Sequence, residues 1–280
     1  MQLDVGCTLN YRCAQPATLL LTIRPHDGDG QRVIEESFQS DPPLNQEAFV
    51  DSFGNRTVRL LAPEGLLRIS YRASVVLTPF VYDAQSLPRQ CEPSELPPPI
   101  IPFVFPSRYC QSDRLVRLAG HITAATEPGY ARVEAICDWV HDNVEYCYGT
   151  SDAHTSAADT VSERVGVCRD FAHLGIALCR AAGIPARFVA GYALKLDPPD
   201  FHAYFEAYLD GQWYLFDATR KVPREGLVRI ATGRDAADTS FANLFGAVQP
   251  EQMSVWCQQV AAPTPADFVG DGQPVPARID

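Results

Sequence analysis

The chain has 280 residues, enough to bury one large core or two modest ones. Apolar content of 46% and charged content of 20% are those of a globular chain and exclude a disordered one. A net charge of −11 and a pI near 5.0 argue against a nucleic-acid or membrane partner, since either would need a basic face. The opening "MQLDVGCTLNYRCAQPATLLLTIRP" has no basic leader. Its apolar run Leu19–Ile23 is too short for a signal or a span, so a cytoplasmic protein is expected. None of the nine cysteines falls in a C-x-x-C pair or a zinc spacing. Most are expected reduced and buried as small hydrophobes, with no metal or cofactor site.

Residues 1–87 read as strands. Thr18–Arg24 is β-branched and apolar, His26–Gly30 is a turn cluster, and Asp51–Asn55 is a second turn leading into a strand over Arg56–Ala62. From Arg68 to Leu77 the pattern alternates. Ile69, Tyr71, Ala73, Val75 and Leu77 lie on one face, with Arg68, Ser70, Arg72 and Ser74 on the other. Several such strands at short spacing predict an N-terminal β-sandwich. Prolines then crowd residues 88–106, which read as an extended connection.

The period turns helical over 107–262. Leu115, Leu118, Ala119 and Ile122 make one stripe, and Val133, Ile136, Cys137, Val140 and Val144 another, with a short helix across Ala157–Arg164. A helix opening at Cys168 or Arg169 carries Phe171, Leu174, Gly175, Leu178 and Ala182 on one face. Gly183 suits its C′ position and Pro185 stops it. Phe188–Leu194, Ala203–Leu209, Gln212–Asp217 and Leu227–Ala231 read as strands. Helices followed by antiparallel strands predict an α+β layer. The tail 263–280 is expected to be poorly ordered.

Cys168 differs from the other cysteines by its place. At a helix N-terminus a thiol meets free N–H groups and the positive end of the dipole, which favour the thiolate and can hold an oxyanion. On position alone it could still be a buried thiol in a core helix. The deciding pattern is downstream, in "FHAYFEAYLDGQWYLFDATR". Asp210-Gly211 is a two-residue hairpin signal. Pairing Leu209 with Gln212 sets Tyr204 opposite Asp217 and puts His202, Tyr204, Glu206 and Tyr208 on one face with Asp217. His202 and Asp217 are then diagonal neighbours, about 7–8 Å apart at the backbone, so Nδ1 of the ring could meet the carboxylate. The Cys168 helix packed on that same face would complete a nucleophile, a base and its orienting acid.

"GVCRDFAHLGIALCRAAGIPAR", then "HAYFE", then "W…FDAT", resembles the transglutaminase-like superfamily core over about Val133–Asp217. The resemblance implies a papain-like α+β fold preceded by an N-terminal β-sandwich. It also implies a catalytic triad of Cys168, His202 and Asp217, as nucleophile, base and orienter. The implied activity is thiol-dependent acyl transfer on peptide or isopeptide amide bonds through a Cys thioester, with a peptide or protein as substrate. Relatives usually carry tryptophan two residues after the histidine, where this chain has Tyr204, and proline after the aspartate, where it has Ala218. Trp139, Tyr146 and Tyr148 are candidates for an upstream oxyanion-hole side chain.

Other readings fit less well. His173 lies more than a helical turn from Cys168 and reads as a packing or surface residue. His154 is in a loop with nothing to orient it, Asp170 reads as a helix cap, and Cys179 as packing. Leu174 stands where a phosphatase loop needs arginine, and no H-E-x-x-H, EF-hand, Walker or dinucleotide motif occurs. "LDPPD" at Leu196–Asp200 reads as a plain loop. The alternative from another class is a non-catalytic module that keeps the fold to bind a peptide.

Overall fold

Alternation of apolar and polar side chains builds the first half of the chain. The computed structural model describes residues 1–78 and 87–261, so the expected tail lies outside the described residues. Strands β1 (Gln2–Cys13), β2 (Ala17–Leu21), β3 (Gln31–Asp41), β4 (Glu47–Val50), β5 (Arg56–Ala62) and β6 (Gly65–Leu77) form two antiparallel sheets. The pattern read for β6 holds: Ile69, Tyr71, Ala73, Val75 and Leu77 are buried, and Arg68 and Arg72 are exposed. Leu3, Val5, Leu9, Leu19, Leu21 and Leu60 fill the space between the sheets.

The connection at 88–106 is packed rather than extended. Short 3₁₀ turns span Pro93–Glu95 and Pro98–Phe103. Cys91 packs with Tyr208 and Trp213 on the later hairpin, and Leu96, Ile100 and Phe103 close over them. Proline suits the first positions of such turns, and the apolar residues between the prolines find a surface to cover.

The second half begins with α1 (Val116–Ile122), α2 (Tyr130–Asn143), β7 (Glu145–Tyr146), α3 (Ala157–Glu163), β8 (Val165–Gly166) and α4 (Cys168–Ala181). Helix α4 is buried on every side from Asp170 to Arg180, not on the single face that its periodicity predicts. The other helices cover one side of it and a four-stranded sheet covers the other. Its end is as predicted. Gly183 takes φ +78°, and the Ile184 N–H donates to the Cys179 carbonyl at 2.9 Å. Arg180, in the last turn, is buried and donates to the carbonyls of Phe105, Ala186 and Arg234.

That sheet contains β9 (Ala186–Ala193), β10 (Phe201–Leu209), β11 (Gln212–Phe216) and β12 (Leu227–Gly233), in the order β11-β10-β9-β12 with antiparallel neighbours. The body of α4 packs on the face of β10 carrying Ala203, Phe205 and Ala207. A β-carbon at Gly175 would come within 2.6 Å of the Phe205 ring. The sequence reading put the helix against the face of His202, and the structure corrects it. By strand alternation His202, Tyr204, Glu206 and Tyr208 point to the other side, where Tyr204 packs with Val189 and Val222. The helix takes the wholly apolar face.

Two further strands, β13 (Ala242–Phe245) and β14 (Val248–Ala261), return to the first half of the chain. β13 pairs with β2 and β14 with β1, giving sheet orders β13-β2-β5-β4 and β14-β1-β6-β3. The sequence reading assigns these residues to the 107–262 unit, but their backbone hydrogen bonds complete the sandwich. Among the described residues no helix is long and apolar enough to cross a membrane.

Candidate active site

The hairpin of β10 and β11 has the register that its turn predicts. Asp210 and Gly211 both take positive φ (45° and 80°), and pairing runs from Leu209↔Gln212 to Phe205↔Phe216. The ladder stops there, one pair short of Tyr204 and Asp217. Asp217 instead folds into a turn in which Oδ1 accepts the Thr219 N–H at 2.9 Å and the Thr219 hydroxyl at 2.8 Å. Oδ2 is left to face His202, and Nε2 of the ring meets it at 2.8 Å, with both side chains buried. The expected contact through Nδ1 is thus replaced by one through Nε2, the atom farther out on the ring and the one that reaches a carboxylate lying beyond the ladder. In the neutral ring the proton then sits on Nε2, and Nδ1 is the basic nitrogen.

Nδ1 of His202 is buried and has no hydrogen-bond partner meeting ordinary geometry. Cys168, at the first turn of α4 and only partly buried, lies beside this ring. Burial alone lowers the affinity of the imidazole for a proton. The bond to Asp217 and the neighbouring Cys168 sulfur outweigh that and raise its pKa to about 10. For Asp217 burial works to raise the pKa, and the bonds from His202 and Thr219 overcome it and hold the carboxyl below its ordinary value. The three residues named from the sequence are therefore together.

Of the three upstream aromatic candidates, Tyr146 comes to the thiol. Burial first and Cys168 second push its hydroxyl well up, while the Cys168 backbone N–H donates to it and works against that rise. The Lys221 ammonium sits 4.2 Å from the centre of the Tyr146 ring. Tyr148 meets Tyr146 edge-on and is 54% exposed, and Trp139 lies under the Arg164 guanidinium.

The remaining candidates fall outside the cluster. His154 is exposed beside Asp152. His173 is fully buried and stacked on Tyr109, and its Nε2 accepts the Ala236 N–H at 3.1 Å. Asp170 is a cap, as read: one oxygen accepts the Val167 N–H at 2.9 Å and the other the Ser151 hydroxyl at 3.0 Å. Sequence reasoning missed Thr219. The signal was there, since a threonine two residues after an aspartate is the spacing of an Asx turn. Among the described residues no group of His, Cys, Asp and Glu side chains is arranged to hold a metal.

Residues 116–218 match the description Transglutaminase-like superfamily, and residues 1–88 match Bacterial transglutaminase, N-terminal domain. The crystal structure of a "Putative Cysteine Protease" from Cytophaga hutchinsonii is 46% identical. It covers 94% of this chain and 92% of its own, with a TM-score of 0.90. The chain belongs to the transglutaminase-like superfamily. Members of that superfamily are thiol-dependent enzymes, and the α+β core with its antiparallel sheet agrees with membership. An uncharacterized protein of Mycobacterium leprae is 31% identical over 144 residues, 48% of this chain. Uncharacterized Mycobacterium tuberculosis proteins are 30% identical over 115 residues, 35% of this chain. The chain covers 51% of the M. leprae protein and 36% of those from M. tuberculosis.

Proposed function

We propose that this transglutaminase-like chain is a cysteine amidohydrolase of peptide or isopeptide bonds, with Cys168 as nucleophile, His202 as acid and base, and Asp217 as orienting anion. The observation that carries this reading is the 2.8 Å bond from Asp217 Oδ2 to His202 Nε2, which leaves the basic Nδ1 for the thiol. Nδ1 already holds the proton from the Cys168 thiol, since Asp217 and the sulfur favour the imidazolium, and the sulfur attacks the amide carbonyl carbon. The tetrahedral oxyanion collapses, the C–N bond breaks, and the amine leaves with the proton from Nδ1. Water then gives its proton to Nδ1 as its oxygen adds to the thioester. The acid leaves and the thiol is restored. Likeness to a chain named for cysteine protease activity supports hydrolysis over transfer to an amine. Nine free thiols support the cytoplasm as its compartment.

Mass spectrometry of a peptide library incubated with the chain, with and without an added primary amine, tests the reading. Hydrolysis products are expected, and they should be absent with Cys168→Ala. Amine adducts in place of hydrolysis would make the chain a transferase. Products that persist in Cys168→Ala, or none from the wild type, would overturn the assignment.

A further inference from the structure

The loop joining β9 to β10 and the returning strand β14 flank a cleft of about 210 Å³, open to solvent, lined by Asp200, Lys195, Leu196 and Pro199 on one side and Trp256 and Gln258 on the other. Asp200 immediately precedes β10, two residues before His202. Residues so spaced on an extended chain share a side and lie about 6.7 Å apart, and the two groups are close enough to influence each other's charge. Through Asp200 the cleft reaches within two residues, along the chain, of the proposed catalytic histidine.

Asp200 has few partners for a sheltered carboxylate. Glu36 is held by Tyr71 and Arg56, Glu206 by Arg187 and Arg229, and Asp217 by His202 and Thr219. Asp200 accepts one bond, from the adjacent Phe201 N–H at 2.7 Å, and pairs with no cation among the described residues. Burial disfavours its charge, and the Phe201 N–H and His202 only partly offset this. An anion in that state gains most from a cation brought to it. The Trp256 indole lines the opposite side of the cleft and packs against Gly6, where a β-carbon would come within 2.3 Å of its ring. A carboxylate beside an aromatic face is the chemistry that holds an ammonium or guanidinium group. Lys195, the other charged residue of the lining, is exposed and has water to turn to.

We propose that this cleft is a subsite for a lysine or arginine side chain of the substrate, with Asp200 as counter-charge and Trp256 as aromatic wall. This rests on the reading of the chain as an enzyme acting on peptides. The spacing between Asp200 and His202 is that of two residues along an extended peptide, so the cation belongs near the scissile bond. The excess of acidic residues over the whole chain favours the same class of substrate.

The test separates binding from turnover. ¹⁵N-labelled Cys168→Ala chain is titrated with acetyl-Ala-Lys-Ala-amide and with its norleucine counterpart, following the Trp256 indole N–H. The lysine peptide is expected to bind about tenfold more tightly. Asp200→Asn, which keeps the acceptor for the Phe201 N–H, should erase the difference, and so should high salt. Equal binding of the two peptides, a difference that survives Asp200→Asn, or shifts that avoid Trp256 would overturn the subsite. The active chain is then given a peptide library. Binding of lysine at Trp256 without cleavage of any peptide leaves the subsite standing and removes the hydrolase reading. Cleavage with no preference for lysine or arginine does the reverse.

Discussion

The two oxygens of Asp217 serve different partners, Oδ2 the imidazole and Oδ1 the Thr219 amide and hydroxyl. Thr219→Val should leave the fold intact but loosen the carboxylate, lowering kcat about tenfold with little change in KM. An unchanged kcat would remove Thr219 from the site. Cys168→Ala should abolish turnover and His202→Ala come close to that. Asp217→Asn should cost about 10⁴-fold in kcat, with losses that do not add because the three act as a unit. The thiol gives an independent check. Burial pushes Cys7, Cys110 and Cys257 up to about 12, and raises Cys137 and Cys179 as well, whereas Cys168 is partly exposed beside an imidazole. Iodoacetamide at neutral pH should label Cys168 first, and peptide mapping with Cys147 or Cys257 ahead of it would count against an activated thiol. His202 also ties stability to pH. Its folded pKa, about 10, is above its ordinary value near 6.5, so its contribution is complete below about pH 6.5 and is lost as pH rises towards 10. The lowered Asp217 contributes above its ordinary pKa and is lost as pH falls through the folded one. Denaturant midpoints of wild type and His202→Gln should therefore converge from pH 7 to pH 10. A constant gap would mean that the imidazole is not held as its cation.

At the scale of elements, the hairpin and the Cys helix were legible because their signals are local. Asp-Gly fixes a two-residue turn, the turn fixes register, and register fixes which side chains share a face. Gly183 and Pro185 end α4 for equally local reasons. What stayed hidden depends on distant partners. The pairing of β13 and β14 with strands more than 200 residues earlier leaves no mark on their own sequence. Burial of α4 on all sides is also invisible to its periodicity, because Asp170, His173 and Arg180 read as polar until their capping, stacking and carbonyl partners are known. The choice of Nε2 over Nδ1 turns on where Asp217 leaves the ladder. One contact links this packing to the chemistry, the approach of Gly175 to Phe205. Gly175→Ala should wedge helix and sheet apart, costing about 1–3 kcal/mol and lowering kcat by displacing Cys168 from His202. Gly175→Ala with Phe205→Leu should recover part of both, and a double variant no better than the single would place the strain elsewhere.

Across the whole molecule, the sandwich and the α+β layer share a core and a sheet edge. Tyr192, Val228 and Ile230, from the sheet that carries His202, and Leu194, in the turn after β9, are buried in the sandwich cluster, and the Tyr192 hydroxyl donates to the Ile23 carbonyl at 2.8 Å. Strand β12 is the edge of that sheet, and an edge leaves backbone groups unpaired. Two side-chain amides of the sandwich close it. Gln31 donates to the Arg229 carbonyl and accepts the Arg229 N–H, both at 2.8 Å. Asn55 does the same at Thr232, donating at 2.9 Å and accepting at 2.8 Å. Each amide replaces a missing strand residue, and both are buried. Removing Asn55 strands a buried donor and acceptor at Thr232. Removing Gln31 strands the Arg229 N–H, while the His26 N–H still donates to the Arg229 carbonyl at 2.9 Å. Asn55→Ala and Gln31→Ala should each cost about 1–3 kcal/mol. For a chain of this length that is a fall of about 2–8 °C in Tm. Shared core and shared edge also predict one calorimetric transition, with the alanine variants moving it whole rather than splitting it. Two transitions in the wild type, of which Asn55→Ala shifts only one, would show that the halves unfold independently and that the amides merely decorate their boundary.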